Sequence, residues 1–283
     1  MSEERRPHLS PSQIDLFTKC PEAYRRRYIE REVIPPGIAM AKGTGLHGGS
    51  ETNFRQKIET WRDLPESDIV DAAVATFETE LDRRGYQLSD EEMARGATVV
   101  IAEAKDDVAA MAKAHAKSQA PEYQPVLVEE PVRIEMPDAD YDMFGYLDLL
   151  AHEPTETPSW DAIVDFKTGA KARPKGDVDS SVQLTFYAAA AHIIREKPVD
   201  EVRLEVLIKG SQGVRRQLLT STRDEHDYAA LTRRVQAVWA AVQAGVFTPA
   251  KPDAWWCSPR WCGYWHTCPF VNSERLAKAE TKS

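Results

Sequence analysis

The chain has 283 residues, enough to bury a large core, and its 42% hydrophobic and 29% charged content is that of an ordinary globular protein. No apolar run approaches the roughly 18 residues of a membrane-spanning helix, and the polar opening Met1 to Gln13 has no secretory-signal core, so no membrane partner and a cytoplasmic location are expected. The net charge of −9 disfavours passive nucleic-acid binding, but not an enzyme whose carboxylates hold divalent cations, because bound metal reverses the local sign.

Ser10-Pro11-Ser12-Gln13 predicts a helix start, with Ser10 as cap, Pro11 in the first turn and Gln13 closing a capping box. Pro21 is expected to interrupt this helix after Cys20 and to open a short second one through Tyr28. Gly43-Thr44-Gly45 reads as the lead-in to a helix carrying His47 and Glu51. Residues 66–118 are alanine-rich, acidic and helical in period, with a break at 85–89, so 52–120 is read as a helical insertion or cover.

After Pro121 the texture becomes β-branched or alternating, predicting strands at 126–136, 141–152 and 162–167. A helix over 179–196, strands at 202–209 and 214–221, and a helix over 224–244 follow. Residues 249–270 are rich in Trp, Pro and Cys and have no period. One α/β domain spanning 1–283 is the simplest account, with a core at 121–221 and an irregular clamp at 249–270.

Asp148 lies in an otherwise apolar strand, Phe144 to Leu150, and Asp165 and Lys167 lie at the end of the next. Residues i and i+2 on a strand share a face, so Asp165 and Lys167 project together, and pairing of the two strands brings Asp148 beside them. Two carboxylates suit a hard cation such as Mg²⁺ or Mn²⁺, and the lysine suits orienting a water or neutralising developing charge. A lone Asp-x-Lys is more often a solvent-facing ion pair; the ordered set of motifs around this one carries more weight.

That set resembles the PD-(D/E)XK nuclease superfamily, in particular its RecB-like branch. The matching residues are His47, Gly145-Tyr146-Leu147-Asp148, Ile163-Val164-Asp165-Phe166-Lys167 and Gln183-Leu184-Thr185-Phe186-Tyr187, in that order. The resemblance implies a mixed central sheet flanked by helices. It implies that His47, Asp148, Asp165 and the Phe166 carbonyl ligate metal, that Lys167 is catalytic, and that Gln183 and Tyr187 position the substrate strand. Asp165 stands where many relatives have Glu. Glu51, one turn beyond His47, suits either a second metal contact or a solvated surface position.

The four cysteines are Cys20 and, 237 positions on, the C-x4-C-x5-C triplet Cys257, Cys262 and Cys268. Reduced thiols of this number suit scattered positions, a tetrahedral zinc or an iron–sulfur cluster. One distant cysteine plus a C-terminal triplet is similar to the iron–sulfur staple of RecB-like nucleases, including AddB-type helicase–nucleases and the CRISPR-associated adaptation exonucleases. This implies a 4Fe–4S cluster, although relatives commonly have x2 rather than x4 in the first pair. His266 is a substitute ligand or a surface histidine, and the tryptophans either shield the cluster or stack on bases. Arg25, Arg26 and Arg27 form either an exposed helix face or a set of phosphate contacts.

The expected function is a metal-dependent exonuclease on single-stranded DNA or DNA ends, with a 5′ to 3′ direction implied by the resemblance. The expected partners are DNA, a separate helicase, recombinase or CRISPR adaptation protein, and further copies of the chain. The competing readings are a non-catalytic DNA-end-binding subunit and a cluster-based redox protein.

Overall fold

The computed structural model describes residues 6–136 and 139–271; the chain before Arg6 lies outside the described residues. Helix α1 (Pro11–Lys19) begins with Ser10 Oγ accepting the Gln13 amide at 3.3 Å and Pro11 in the first turn. Only this direction of the cap forms, and Ser10 Oγ also meets Ser12 Oγ at 3.0 Å. Cys20 closes α1, and its Sγ accepts the Ala23 amide at 3.4 Å to cap α2 (Pro21–Tyr24). The second helix then widens into a π-helical turn, Arg25–Ile29.

Helix α3 (Ile38–Thr60) corrects the expectation for Gly43-Thr44-Gly45, because these residues lie inside the helix rather than ahead of it. A Cβ on Gly45 would stand 2.9 Å from both Ala73 O and Phe77 Cβ, and one on Gly49 would stand 2.8 Å from Ile69 O. Glycine therefore lets α3 approach α4 (Glu66–Arg84) backbone to backbone. That contact offsets the roughly 1 kcal/mol per glycine that helix propensity costs. Glu51 pairs with Arg55 at 2.7 Å, as a surface acid does. Gly85, with φ +66°, ends α4. Ser89 and Glu92 form a reciprocal capping box on α5 (Asp90–Arg95), and α6 (Ala97–Ser118) completes the group.

The sheet is mixed. Its strands are β1 (His8–Leu9), β2 (Gln124–Glu135), β3 (Asp142–His152), β4 (Asp161–Gly169), β5 (Glu201–Gly210) and β6 (Gly213–Ser221). β3 pairs antiparallel with β2 and β4, β4 pairs parallel with β5, and β5 pairs antiparallel with β6. The β4-to-β5 crossover carries α7 (Lys175–Asp179) and α8 (Val182–Arg195). The helix expected over 179–196 is α8, which begins three residues later where Ser181 Oγ accepts the Leu184 amide, and the short α7 ahead of it was not expected. Helix α9 (Glu225–Gln243) opens on an Asp224–Asp227 capping box.

Residues from α1, α8 and α9 share one core with Leu147, Leu150 and Ile163 of the sheet. On the other face Phe54 of α3 packs with Val128, Leu149, Val164 and Phe166. β4 is thus covered on both faces, and residues Asp161 to Phe166 are all buried, which explains its nearly continuous apolar run. Among the described residues, no helix is long and apolar enough to cross a membrane.

Candidate active site

The two edges of β3 are used unequally. Along one edge β2 pairs from His152 to Asp142 without leaving β3. Along the other, β4 pairs only from His152 to Leu149, and the short strand β1 pairs at Asp142 and Met143. Between these contacts β3 and β4 diverge, so Asp148 and Asp165 face each other on the first rung of an open fork. The short strand β1, which the sequence did not announce, closes the far end.

Lys167 follows the strand alternation. Its Nζ donates to Asp165 Oδ1 at 2.7 Å and to Gln183 Oε1 at 3.3 Å. Gln183 Nε2 in turn reaches Tyr187 Oη at 3.5 Å, so α8 braces the lysine through the first turn of its own helix. A Cβ on Gly145 would stand 2.9 Å from the Phe186 ring and 3.2 Å from the Tyr187 ring. The glycine of the Asp148 strand is thus the space into which the α8 aromatics pack, and the two motifs are one contact.

His47 enters from α3 on the opposite side. Its Nε2 lies 2.8 Å from Phe166 O, and its Nδ1 lies 3.5 Å from Glu129 Oε1 and 3.7 Å from Asp148 Oδ2. Phe166 is held by ring contacts with Phe54, His115 and Tyr123, which fix where its carbonyl points. His47, Asp148, Asp165, Lys167 and the Phe166 carbonyl therefore meet in one small volume, with Gln183 and Tyr187 behind the lysine.

Glu129 is the member that sequence reading missed. It sits between the rungs Val128–Leu149 and Glu130–Leu147, hence opposite Asp148, and its φ is +46°, in the left-handed region. The strand phase slips here. Leu127 and Val132 both pack on the α8 side while Val128 packs on the α3 side; on β3, Leu147 and Leu150 share the α8 side while Leu149 takes the α3 side. Both strands slip on the same rung, which keeps their register in step and turns Glu129 and Asp148 toward His47. Among the described residues, His47, Glu129 and Asp148 form the one set of three such donors converging within 4.8 Å. The only advance signal was an acid in an alternating strand, which is commonplace.

Charge in the site is unbalanced in the way that a cation would correct. Burial, together with the neighbouring Asp165 charge, pushes the Asp148 carboxyl well above the usual range, while Lys167 overcomes burial to hold Asp165 below it. Burial disfavours the Lys167 charge, but Asp165 and Asp148 outweigh it and raise its pKa. Burial likewise opposes His47, and Asp148 and Glu129 nevertheless raise it to about 9. Asp148 Oδ2 is buried and accepts no hydrogen bond. A buried orphan oxygen, a second acid beside it and an imidazole make a donor set that fits Mg²⁺ or Mn²⁺.

A second constellation lies at the chain ends. Cys20, Cys257, Cys262 and Cys268 all line one cavity of about 240 Å³, together with Ala23, Arg26 and Trp265. No three of these sulfurs belong to a set converging within 4.8 Å among the described residues, a wider spacing than one tetrahedral ion with about 2.3 Å sulfur bonds requires. Burial, followed by weaker repulsion from the other three sulfurs, raises the Cys262 thiol, although the Tyr264 amide opposes it. Four thiols lining one chamber are the number of donors that a four-thiolate group takes. His266 is exposed and is not among the residues lining the cavity. Trp265 is buried and Trp256 donates to Lys19 O at 3.2 Å, whereas Trp255 and Trp261 are exposed.

The arginine triplet departs from its expected role. Arg26 is buried against the Tyr264 ring, donates to Thr267 Oγ1 at 2.7 Å and pairs with Glu32. Arg25 is tied to Glu22 and Glu30. Arg26 is thereby committed to fastening the N-terminal segment to the C-terminal one, and Arg25 to ion pairs within the N-terminal segment. Arg27, over the Tyr28 ring, is the exposed member.

The family model of the PD-(D/E)XK nuclease superfamily matches residues 8–269. Among curated proteins, none matches the chain in sequence. A solved structure from Eubacterium rectale, named "Putative exonuclease", is 10% identical, with a TM-score of 0.52, covering 94% of this chain and 90% of that one. The crystal structure of SSO0001 is also 10% identical, covering 96% of this chain and 90% of that one, with a TM-score of 0.43.

Proposed function

This chain belongs to the PD-(D/E)XK nuclease superfamily, and from that premise we propose that it is a divalent-metal-dependent exonuclease of the RecB-like branch, hydrolysing single-stranded DNA from its 5′ end. The observation that supports this reading best is the fork, where the orphaned Asp148 carboxylate meets Asp165, Glu129 and His47 with Lys167 one step away.

His47, Glu129, Asp148 and Asp165 would hold the cation, with the Phe166 carbonyl as a further donor. When bound, Mg²⁺ or Mn²⁺ would polarise the phosphodiester and acidify a water. Lys167 keeps its proton, because two carboxylates stabilise it, and about a third of its side chain reaches solvent. It is placed to orient the attacking water and to neutralise charge that develops on phosphate oxygens. Gln183 fixes the lysine rotamer, and Tyr187 fixes Gln183. Burial and the Asp165 charge favour the protonated form of Asp148, and a bound cation would take the place of that proton.

A 4Fe–4S cluster on Cys20, Cys257, Cys262 and Cys268 belongs to the same proposal. It would close a loop over nearly the whole chain, and such closure restricts the unfolded state. Thiolate ligation of this kind suits a reducing compartment.

Labelled single-stranded DNA with Mg²⁺ or Mn²⁺ tests the reaction centre. Asp165→Ala and Lys167→Ala should each lower the rate by about a hundredfold or more. Degradation by both variants at the rate of the wild type would remove the assigned centre, and no degradation by any of the three proteins would leave a DNA-end-binding subunit. Anaerobically purified protein should contain iron and sulfide, both lost in Cys20→Ala; stoichiometric zinc without iron would exclude the cluster.

A further inference from the structure

Among the described residues, the face of β2 and β3 opposite α8 is uncovered as it leaves the fork. Met143, Gly145 and Leu147 point toward α8 and are buried, while Phe144 and Tyr146 alternate with them on the other side. Tyr146 is 55% exposed, an unusual position for a large aromatic at the centre of a strand. Its ring lies 5.4 Å edge-on from Phe144, and Phe144 lies 5.3 Å from His8 of β1. Across the strand, Pro131 stands opposite Tyr146 and Arg133 opposite Phe144, and the Arg133 guanidinium lies 5.4 Å from the Phe144 ring centre.

These residues form a row, and the row leads to the fork. Tyr146 is two residues before Asp148 and Phe144 is four before it, so the rings stand about 6.8 Å and about 14 Å along the strand from the orphaned carboxylate. An exposed sheet face with aromatic rings at alternate positions presents its flat surfaces outward. Unpaired bases have free π-faces that stack on such rings, whereas bases in a duplex are already stacked on one another. The helix α8 fills the other face through Phe186 and Tyr187, so among the described residues this is the side of β3 open to a strand.

We propose that Tyr146 and Phe144 form a stacking platform for successive unpaired bases of the DNA strand whose phosphodiester lies at Asp148, and that this platform gives the enzyme its preference for single strands. The inference rests on the nuclease reading above and adds the residues that select the substrate. Arg133 borders the second base position, where a guanidinium beside an aromatic ring adds cation–π attraction to a stacked base. Tyr146 is a binding residue in this scheme, and it does not touch the cation.

The test crosses enzyme and substrate changes. Single-turnover degradation in Mn²⁺ is measured for an oligothymidylate and for the same strand carrying one abasic unit at the first, second or third nucleotide. Wild type should be slowed about tenfold by the abasic unit at one of these places, the loss of one stacked base. Tyr146→Leu should be slowed about tenfold on the intact strand and should no longer distinguish it from that abasic strand, with unchanged Mn²⁺ affinity. Phe144→Leu should show the same loss at a neighbouring nucleotide. Equal discrimination by Tyr146→Leu and wild type would overturn the platform while leaving the nuclease reading intact. Failure of wild type to degrade any strand would overturn both, and is read from the intact substrate alone.

Discussion

Glu129 offers the sharpest test of how the site is built, because its backbone and its carboxylate make separable demands. The residue is held at φ +46°, where a side chain costs about 1–2 kcal/mol that glycine escapes. Glycine at a strand position gives back about 0.5–1 kcal/mol of that through the larger entropy of its unfolded chain. Glu129→Gly and Glu129→Gln both remove the charge beside Asp148, so the difference between them isolates the backbone. Glu129→Gly should be the more stable by about 0.5–1 kcal/mol, or roughly 2 °C in Tm for a protein of this size, measured by thermal unfolding in EDTA. Both variants should bind Mn²⁺ at least about tenfold more weakly by calorimetry, as expected when a side chain supporting a metal site is lost. A glutamine variant as stable as the glycine variant would refute the strain. Unchanged Mn²⁺ affinity in both would refute the idea that the strand slip exists to turn Glu129 toward the cation.

His115 should make stability fall in acid. It is fully buried, with Nδ1 2.9 Å from Gln119 Oε1 and no partner for Nε2, and burial lowers its pKa from 6.5 to about 4. Because the folded value is the lower one, its contribution is complete above pH 6.5 and is lost as pH falls toward about 4, by up to roughly 3 kcal/mol. Denaturant unfolding across that window should show this slope for wild type and not for His115→Phe; parallel profiles would refute it. The α3–α4 contact predicts a different contrast. Gly45→Ala meets the Ala73 carbonyl and should destabilise by about 1–2 kcal/mol and lower activity through His47, since overpacking outweighs the gain in helix propensity. Gly48→Ala meets the Thr76 side chain, its Cβ included at 2.6 Å, so Thr76→Gly should relieve the clash in thermal melts where Thr76→Ala does not, and rescue of Gly45→Ala by Thr76→Gly would show that the packing has been misassigned.

What could be read from the sequence follows from how far apart the cooperating residues lie. Asp165 and Lys167 are two positions apart on one strand, and strand geometry alone puts Lys167 Nζ at 2.7 Å from Asp165. Gln183 and Tyr187 are one helical turn apart and meet for an equally local reason. Strands β2 to β6 were legible because alternation and β-branching survive in each segment separately, whereas β1 is two residues long and carries no pattern. Glu129 was not, since its place opposite Asp148 depends on a phase slip shared by two strands, and a left-handed glutamate leaves no mark in composition. Gly45 misled for the opposite reason: glycine signals freedom locally, and here it signals a neighbour, α4, that only the packed chain supplies. Arg26 misled likewise, because a run of three arginines says nothing about a π-turn that rotates one of them onto Tyr264. The residues that were hard to read share one property, which is that their partners come from elements far away in the chain. The fork itself is of this kind, for it opens only where β4 leaves β3 and β1 arrives from the other end of the sequence. A reactive centre of this construction requires the whole fold to be in register before any of its carboxylates meet. That is why displacing α3 at Gly45, far from the acids in sequence, is expected to reach the chemistry through His47.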